Sequence, residues 1–581
     1  MQLIRRLLPY LRPYWREALI APFLMLLEVA MDLAQPRLMQ HIVDVGIAQL
    51  DMGIVLRTGA LMIGLALVGM IGGVGNCVLG VRAAQSYGAD LREDLYRKIQ
   101  SLSFGNLDAL GTGELVTRLT NDVTQIQEVV MITLRILVRS PLMLVGSLTM
   151  MIITSPRLAL LLLALVPIVL VGLTIVIKYA HALFTAVQKA IDGINTVVQE
   201  NLASVRVIKA FVRQNHERKR FAGANEDLTA RSIRAERTVA LFGPFLMMSL
   251  NLGIVGVIWF GGVDVTRGGS QVGQIMASIN YLTTTLMSLM MVGMLLTRVS
   301  RAQASAERVT EVLDSEPVVV DAPEAVAELS GRGRVALEGV VFSYGSDGEE
   351  PVLAGVDLAI EPGQTVAILG ATGSGKSTLA HLIPRFYDVK AGRLMVDGLD
   401  VREIQQQTLR RQVAIVMQEP FLFSGTIAEN LRYGRPEATD EEVILAAKLA
   451  QAHDFIMSFP DGYDTLLGQR GVNVSGGQKQ RLAIARALVM RPAILILDDS
   501  TSSVDVETEA LIQGALEEHL KDCTRIVVAQ RISTVLNADS IIVLEGARVA
   551  AQGTHSELIQ SSPIYREIYE SQLGNGVVAH G

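Results

Sequence analysis

The apolar residues of this chain fall into two patterns. In the first 300 positions they form six long stretches, near 18–43, 59–81, 130–153, 158–178, 239–263 and 273–297. Each holds the roughly 20 residues that a helix needs to cross a bilayer. The stretches between them differ in charge. Segments 44–58, 154–157 and 264–272 carry one cation each, Arg57, Arg157 and Arg267, whereas 178–237 carries eleven Lys and Arg. Positive charge marks the cytoplasmic side, so both termini are expected there. The basic segments keep a helix-forming character well past the apolar runs. A helix from about 55 to 100 is about 68 Å long, against a hydrocarbon core of about 30 Å. The excess has to project into the cytoplasm. At the far tips lie residues 103–108 and 209–215, each with one aromatic anchor, Phe104 and Phe211. They read as contacts to a soluble domain or as plain hairpin turns. Residues 1–16 alternate basic and apolar groups with Tyr10, Tyr14 and Trp15, which suits a helix on the membrane surface.

A few polar residues interrupt the apolar runs. Glu28 and Asp32 share one helical face, and so do Arg135 and Arg139. Charges at such depth face a water-accessible cavity or pair with one another. Met287, Met290, Met291 and Met294 recur at helical spacing on the sixth stretch. They either line a site for varied apolar compounds or pack against neighbouring helices.

From 312 to 334 the apolar period is lost around Pro317 and Pro323, which marks a linker. From Val335 short strands alternate with helices, the sign of an α/β domain. Here Gly370-Ala371-Thr372-Gly373-Ser374-Gly375-Lys376-Ser377-Thr378 follows a buried strand and opens a helix. It matches the glycine loop that cradles nucleotide phosphates with backbone N–H groups, a Lys and a Mg²⁺-binding hydroxyl. Around it stand Tyr344, fit to stack on a purine, and Gln418 at the end of a strand. Ser475-Gly476-Gly477-Gln478 opens a strong helix and makes a second anion site. The strand Ile494–Leu497 ends in Asp498 and Asp499, and one acid there completes Mg²⁺ coordination. Another strand ends at Gln530.

Composition narrows the reading. Half of the residues are hydrophobic and 19% are charged, with mean hydropathy +0.38. A net charge of −7 gives no nucleic-acid surface. The two cysteines, Cys77 and Cys523, lie in the two different halves, which excludes a disulfide framework. With no short apolar core and small-residue cleavage site at the N-terminus, no cleaved leader is expected.

Taken together, the chain resembles a half-transporter of the ATP-binding cassette exporter type, with Ser475-Gly476-Gly477-Gln478 lying between the glycine loop and Asp498 in that family's order. The resemblance implies a six-helix membrane domain over 1–311 and an α/β P-loop nucleotide-binding domain over 335–581. It makes tips 103–108 and 209–215 coupling helices and places the chain in the cell's inner or plasma membrane. It implies two halves that sandwich two ATP–Mg²⁺ head to tail, each between one half's glycine loop and the other's signature stretch. Ser377, Gln418 and Asp498 then hold the metal, and Gly370, Thr372, Gly373, Ser374, Gly375, Lys376, Thr378 and Tyr344 hold ATP. Two positions depart from the pattern. Asp499 stands where the family has the Glu that orients the attacking water, and Gln530 where it has a His. Gln469, where exporters often have Glu, is a milder change. These departures resemble the weak half of a heterodimeric exporter of hydrophobic drugs or lipids, whose partner carries the Glu and the His. A slow homodimer and a regulatory ATP-binding membrane protein are the alternatives.

Overall fold

The computed structural model describes residues 6–345 and 350–573, without the side chains of residues 181, 292–301, 533 and 573. It divides into two compact units, Met1–Gln100 with Gly113–Asp314, and Ser101–Thr112 with Ser315–Gly581.

The first unit is helical. Its helices are α1 (Trp15–His41) and α2 (Met52–Ser101), then, past the short α3 (Phe104–Leu110) of the second unit, α4 (Thr112–Thr154), α5 (Pro156–Ala203), α6 (Gln214–Thr266) and α7 (Val272–Asp314). At 50 residues, α2 is about 75 Å long. Four helices among the described residues, α2, α4, α5 and α6, are long and apolar enough to cross a membrane. The expected count of six is therefore not confirmed among the described residues. The stretches near 18–43 and 273–297 are helical too, and they carry polar residues, Glu28, Asp32 and Gln35 on α1 and Asn280 with Thr283 to Thr285 on α7. Leu160, Val171, Ile71 and Trp259 are largely exposed, an outer surface suited to lipid tails. Inside, Leu162, Val257, Tyr281, Leu282 and Leu286 form a dry core. The Tyr281 hydroxyl donates to Leu33 O at 2.9 Å. Fully buried Asn76 on α2 donates to Ala21 O at 2.7 Å and Leu134 O at 3.2 Å, tying α2 to α1 and α4. Of the basic N-terminal stretch, Leu8–Tyr14 forms a 3₁₀ helix leading into α1, and residues 1–5 lie outside the described residues.

α7 runs to Asp314, three residues into the stretch expected as linker. In the second unit the remaining linker is pinned, not loose. Val326 pairs with Ile404, and Asp397 accepts hydrogen bonds from Ser330 Oγ and the backbone N–H of Arg332 and Arg334. The strands are β1 (Val335–Phe342), β2 (Leu353–Ile360), β3 (Thr365–Gly370), β4 (Ala391–Val396), β5 (Leu399–Asp400), β6 (Val413–Val416), β7 (Gly425–Thr426), β8 (Leu466–Leu467), β9 (Ile494–Asp498), β10 (Thr524–Val528), β11 (Ser540–Glu545) and β12 (Arg548–Gly553). An antiparallel sheet runs β2-β1-β4-β5, and a six-stranded sheet runs β12-β11-β3-β10-β9-β6. In the larger sheet β11, β3, β10, β9 and β6 are parallel. Their side chains are buried on both faces, hence the unbroken apolar runs Ile494–Leu497 and Ile526–Val528. The short α3 also packs here. Phe104 stacks on Phe386 with centroids 4.3 Å apart, and Tyr387 OH donates to Asp108 at 2.6 Å. The other tip belongs to the first unit, where Val205–Ala210 forms a turn of helix and Phe211 and Val212 stand exposed.

Candidate functional site

Strands β3, β10, β9 and β6 are neighbours and parallel, so their carboxyl ends share one edge. Open α/β sheets bind ligands at that edge. The glycine loop follows β3, Asp498 ends β9, Gln418 lies two residues past β6 and Gln530 two past β10. Residues far apart in sequence thus meet because their strands do.

The loop closes onto the helix α8 (Lys376–Leu382), capped by Gly375 at φ 97°. A Cβ at Gly375 would lie 2.8 Å from Val352 O, so only glycine fits. Gly373, by contrast, faces open space, and Gly370 and Thr372 complete the curve. The Ser374 hydroxyl is buried and has no hydrogen-bond partner. Lys376 Nζ donates to Gly370 O at 2.8 Å and Ala371 O at 2.9 Å. Burial draws the Lys376 pKa down, against the pull of Asp498 and Asp499. A phosphate oxygen offers this ammonium a charged acceptor in place of two carbonyls, a stronger bond. The orphaned Ser374 hydroxyl and the open arc at Gly373 therefore fit a bound polyphosphate.

Ser377 Oγ donates to Asp498 Oδ1 at 3.0 Å. Asp498 is 3% exposed, and that burial raises its pKa despite the Ser377 bond and the charges of His381 and Lys376. A hydroxyl and one carboxylate side by side fit Mg²⁺, which takes few protein ligands and keeps phosphate and water around it. Tyr344 OH lies 3.0 Å from Thr378 Oγ1, and the ring is half exposed beside the loop. His381, which the sequence reading missed, places Nε2 3.8 Å from Asp498 Oδ2. Its spacing of four from Ser377, one face of a helix, was the available signal.

Asp499 is held from three sides. Its N–H donates to Val528 O at 2.9 Å with φ at 48°. Its Oδ2 accepts from Gln418 Nε2 at 3.1 Å and from Gln530 Nε2 at 3.0 Å. Burial, and then the neighbouring Asp498, push its pKa up. Gln418 therefore bonds to Asp499, not to Ser377 or Asp498.

Ser475 to Gln478 form a separate group. Ser475 caps α9 (Gly476–Val489) in a capping box, with its N–H donating to Gln478 Oε1 at 2.9 Å. A Cβ at Gly477 would stand 2.8 Å from Ser503 O, and one at Gly476 would rest on the Ser503 side chain. Buried Gln480, also missed in the sequence, donates to Ser502 Oγ and accepts from Ser503 N at 2.8 Å. Among the described residues no hydrogen bond or ion pair joins Ser475–Gln478 directly to the Lys376, Asp498 and Asp499 group.

Comparison with known proteins agrees. The description "ABC transporter transmembrane region" matches residues 18–289, and "ABC transporter" matches 353–502. An ABC transporter ATP-binding protein of Bacillus subtilis, YfiB, is 43% identical over 98% of this chain and 99% of its own. The chain belongs to the ABC transporter family. An ATP-dependent lipid A-core flippase of Chromobacterium violaceum is 32% identical over 98% of this chain and 97% of its own. The solved structure of a bacterial Atm1-family ABC exporter with ATP bound is 28% identical. It superposes with a TM-score of 0.79 over 96% of this chain and 99% of that one. The transporter is thus an exporter half with a membrane domain and an ATP-hydrolysing domain in one chain, and its fold is that of the Atm1 family.

In the membrane domain of this transporter lies a cavity of about 1000 Å³. Asp32, Arg135, Arg139, Met287, Met290 and Met291 line it. Arg139 donates to Glu28 Oε1 at 2.7 Å and Asp32 Oδ2 at 3.0 Å. The two readings left open by the sequence, ion pair and polar cavity, are both present. The Met294 side chain lies outside the described residues.

Proposed function

We propose that this chain is the weak-site half of a heterodimeric exporter with six spans, both termini and the nucleotide domain on the cytoplasmic side of the cell's inner or plasma membrane. Domains 1–311, 312–334 and 335–581 then act as membrane domain, linker and motor. Its cargo is a hydrophobic or amphipathic compound. Likeness to proteins named lipid A-core flippases supports a lipid or lipid-like cargo.

The carrying observation is Asp499. At the end of β9, where a Glu orients the attacking water in the family pattern, a shorter carboxylate gives one oxygen to two amides. Gln530 adds no titratable proton. The glycine loop with Tyr344, Lys376, Ser377 and Thr378 binds ATP, and Ser377, Asp498 and Gln418 hold Mg²⁺, which neutralises phosphate charge when bound. Hydrolysis of that ATP is slow. Ser475, Gly476, Gly477 and Gln478 retain their cap and close the partner's ATP, where a Glu and a His stand. The exposed Phe211 and Val212 at the second tip offer an apolar contact to a partner's nucleotide domain.

The test is turnover of the chain purified alone and with its partner half. The complex is expected to hydrolyse ATP at least about tenfold faster than the chain alone, a difference of about 1.4 kcal/mol in barrier. Equal rates would sink the heterodimer reading in favour of a homodimer.

A further inference from the structure

The membrane cavity holds one cation that its ion-pair cluster does not use. Arg135 sits on the π-helical turn Thr133–Leu137 within α4, and such turns recur at functional positions. Its Nε is buried without a hydrogen-bond partner, and it makes no ion pair among the described residues. Buried donors are nearly always satisfied in a working protein, so this side of the cavity suits an acceptor, from solvent or from the polar group of a bound compound. One helical turn on, about 6 Å along the axis, the Arg139 guanidinium is shared by Glu28 and Asp32. One cation against two carboxylates leaves an excess negative charge. Asp32 is the acid that lines the cavity, its side chain 43% exposed against 14% for Glu28. The cavity therefore offers a free positive charge and an excess negative charge about one helical turn apart. Met25, Met287 and Met290 supply an adaptable apolar wall.

A purely cationic amphiphile meets Arg135, and a purely anionic one meets the surplus acid. In a low-dielectric cavity either mismatch is costly. A head group with both charges matches both. We propose that the cavity selects zwitterionic amphiphiles, with the acidic group on Arg135, the basic group on Asp32 and the chain against the methionines. This rests on the exporter reading above and names its cargo class.

The test uses the transporter in nanodiscs, in the assembly in which it is isolated from its membrane. Three radiolabelled probes of one chain length are compared below their micellar concentrations: dodecylphosphocholine, dodecyl phosphate and dodecyltrimethylammonium. Dodecylphosphocholine is expected to bind at least about tenfold more tightly than either singly charged probe. Arg135→Gln should remove about tenfold of that affinity, Arg135→Lys should restore most of it, and basal ATP turnover should stay in place in both. Equal binding of the three probes, tightest binding of either singly charged one, or an Arg135→Gln variant that binds as before overturns the proposal. Failure of the exporter reading looks different. Dodecylphosphocholine would then bind through Arg135 yet show no ATP-driven accumulation in inverted vesicles.

Discussion

On the weak-site proposal, Asp499→Glu with Gln530→His should raise hydrolysis at this chain's own glycine loop. The backbone at 499 cannot advance to make up for a short side chain, because its N–H is fixed on Val528 O at 2.9 Å and its φ is 48°. The missing methylene therefore withdraws the carboxylate by about 1.5 Å. A misplacement near 1 Å costs on the order of 100-fold in rate, about 2.7 kcal/mol of barrier. Replacing Gln530 also removes one of the two amide donors that occupy Asp499 Oδ2, freeing a lone pair for water. A rise of about 100-fold at this site is the expectation, with Asp499→Glu alone giving only part of it. The assay is phosphate release by the complex after the catalytic carboxylate of the partner's own site has been removed, so that only ATP at Lys376 and Ser377 is counted. Asp tolerates a left-handed φ better than Glu, so the variant should also lose about 1 kcal/mol of stability, readable in Tm. Phosphate release within twofold of the unmodified site, with ATP still bound, would refute the reasoning: other residues would then disable the site.

Three further outcomes follow from local geometry. Gly477→Ala drives a Cβ to 2.8 Å from Ser503 O; turnover of the complex should fall on the order of 100-fold, while ATP still photolabels this chain's own loop. Phe104→Ala removes the ring stacked on Phe386; ATP-driven uptake into inverted vesicles should fall about tenfold or more, a step of about 1.4 kcal/mol, with basal hydrolysis kept. Burial works to raise the Asp397 pKa, but hydrogen bonds from Ser330 and the N–H groups of Arg334 and Arg332 prevail and hold it below 3.8. A depressed carboxylate stabilises above its unfolded pKa, and that contribution fades as pH falls through the folded value. Asp397→Asn should therefore cost about 1–2 kcal/mol at pH 7 and progressively less as pH falls through the folded value, measured by urea unfolding of the transporter's nucleotide domain signal.

How much of this was legible depended on how local the signal was. The glycine loop was readable because nine consecutive residues carry their own geometry, and β9 because both faces of a central strand are buried. The membrane cavity was only half legible: the spacing of Asp32, Arg135, Arg139 and Met287 stood in the sequence, but that these residues share one wall depends on how α1, α4 and α7 pack. The bond from Gln418 to Asp499 was hidden for another reason. It depends on β6, β9 and β10 lying side by side, a sheet order that no stretch of sequence states.

The same sheet order explains why the two departures belong together. A Glu at 499, one methylene longer, would carry its carboxylate further past the strand ends, away from Gln418 and residue 530. With Asp in its place the carboxylate stays back, within 3.1 Å of one flanking strand end and 3.0 Å of the other. The Gln530 amide reaches that oxygen and satisfies it. Asp499 and Gln530 are thus coupled through one hydrogen bond between the ends of β9 and β10. Either reversion alone should leave an unmatched group, so the energies of Asp499→Glu and Gln530→His should be non-additive by about 0.5–3 kcal/mol. A double-mutant cycle on ATP hydrolysis reads this coupling directly, and additive effects would show that the two positions changed for separate reasons.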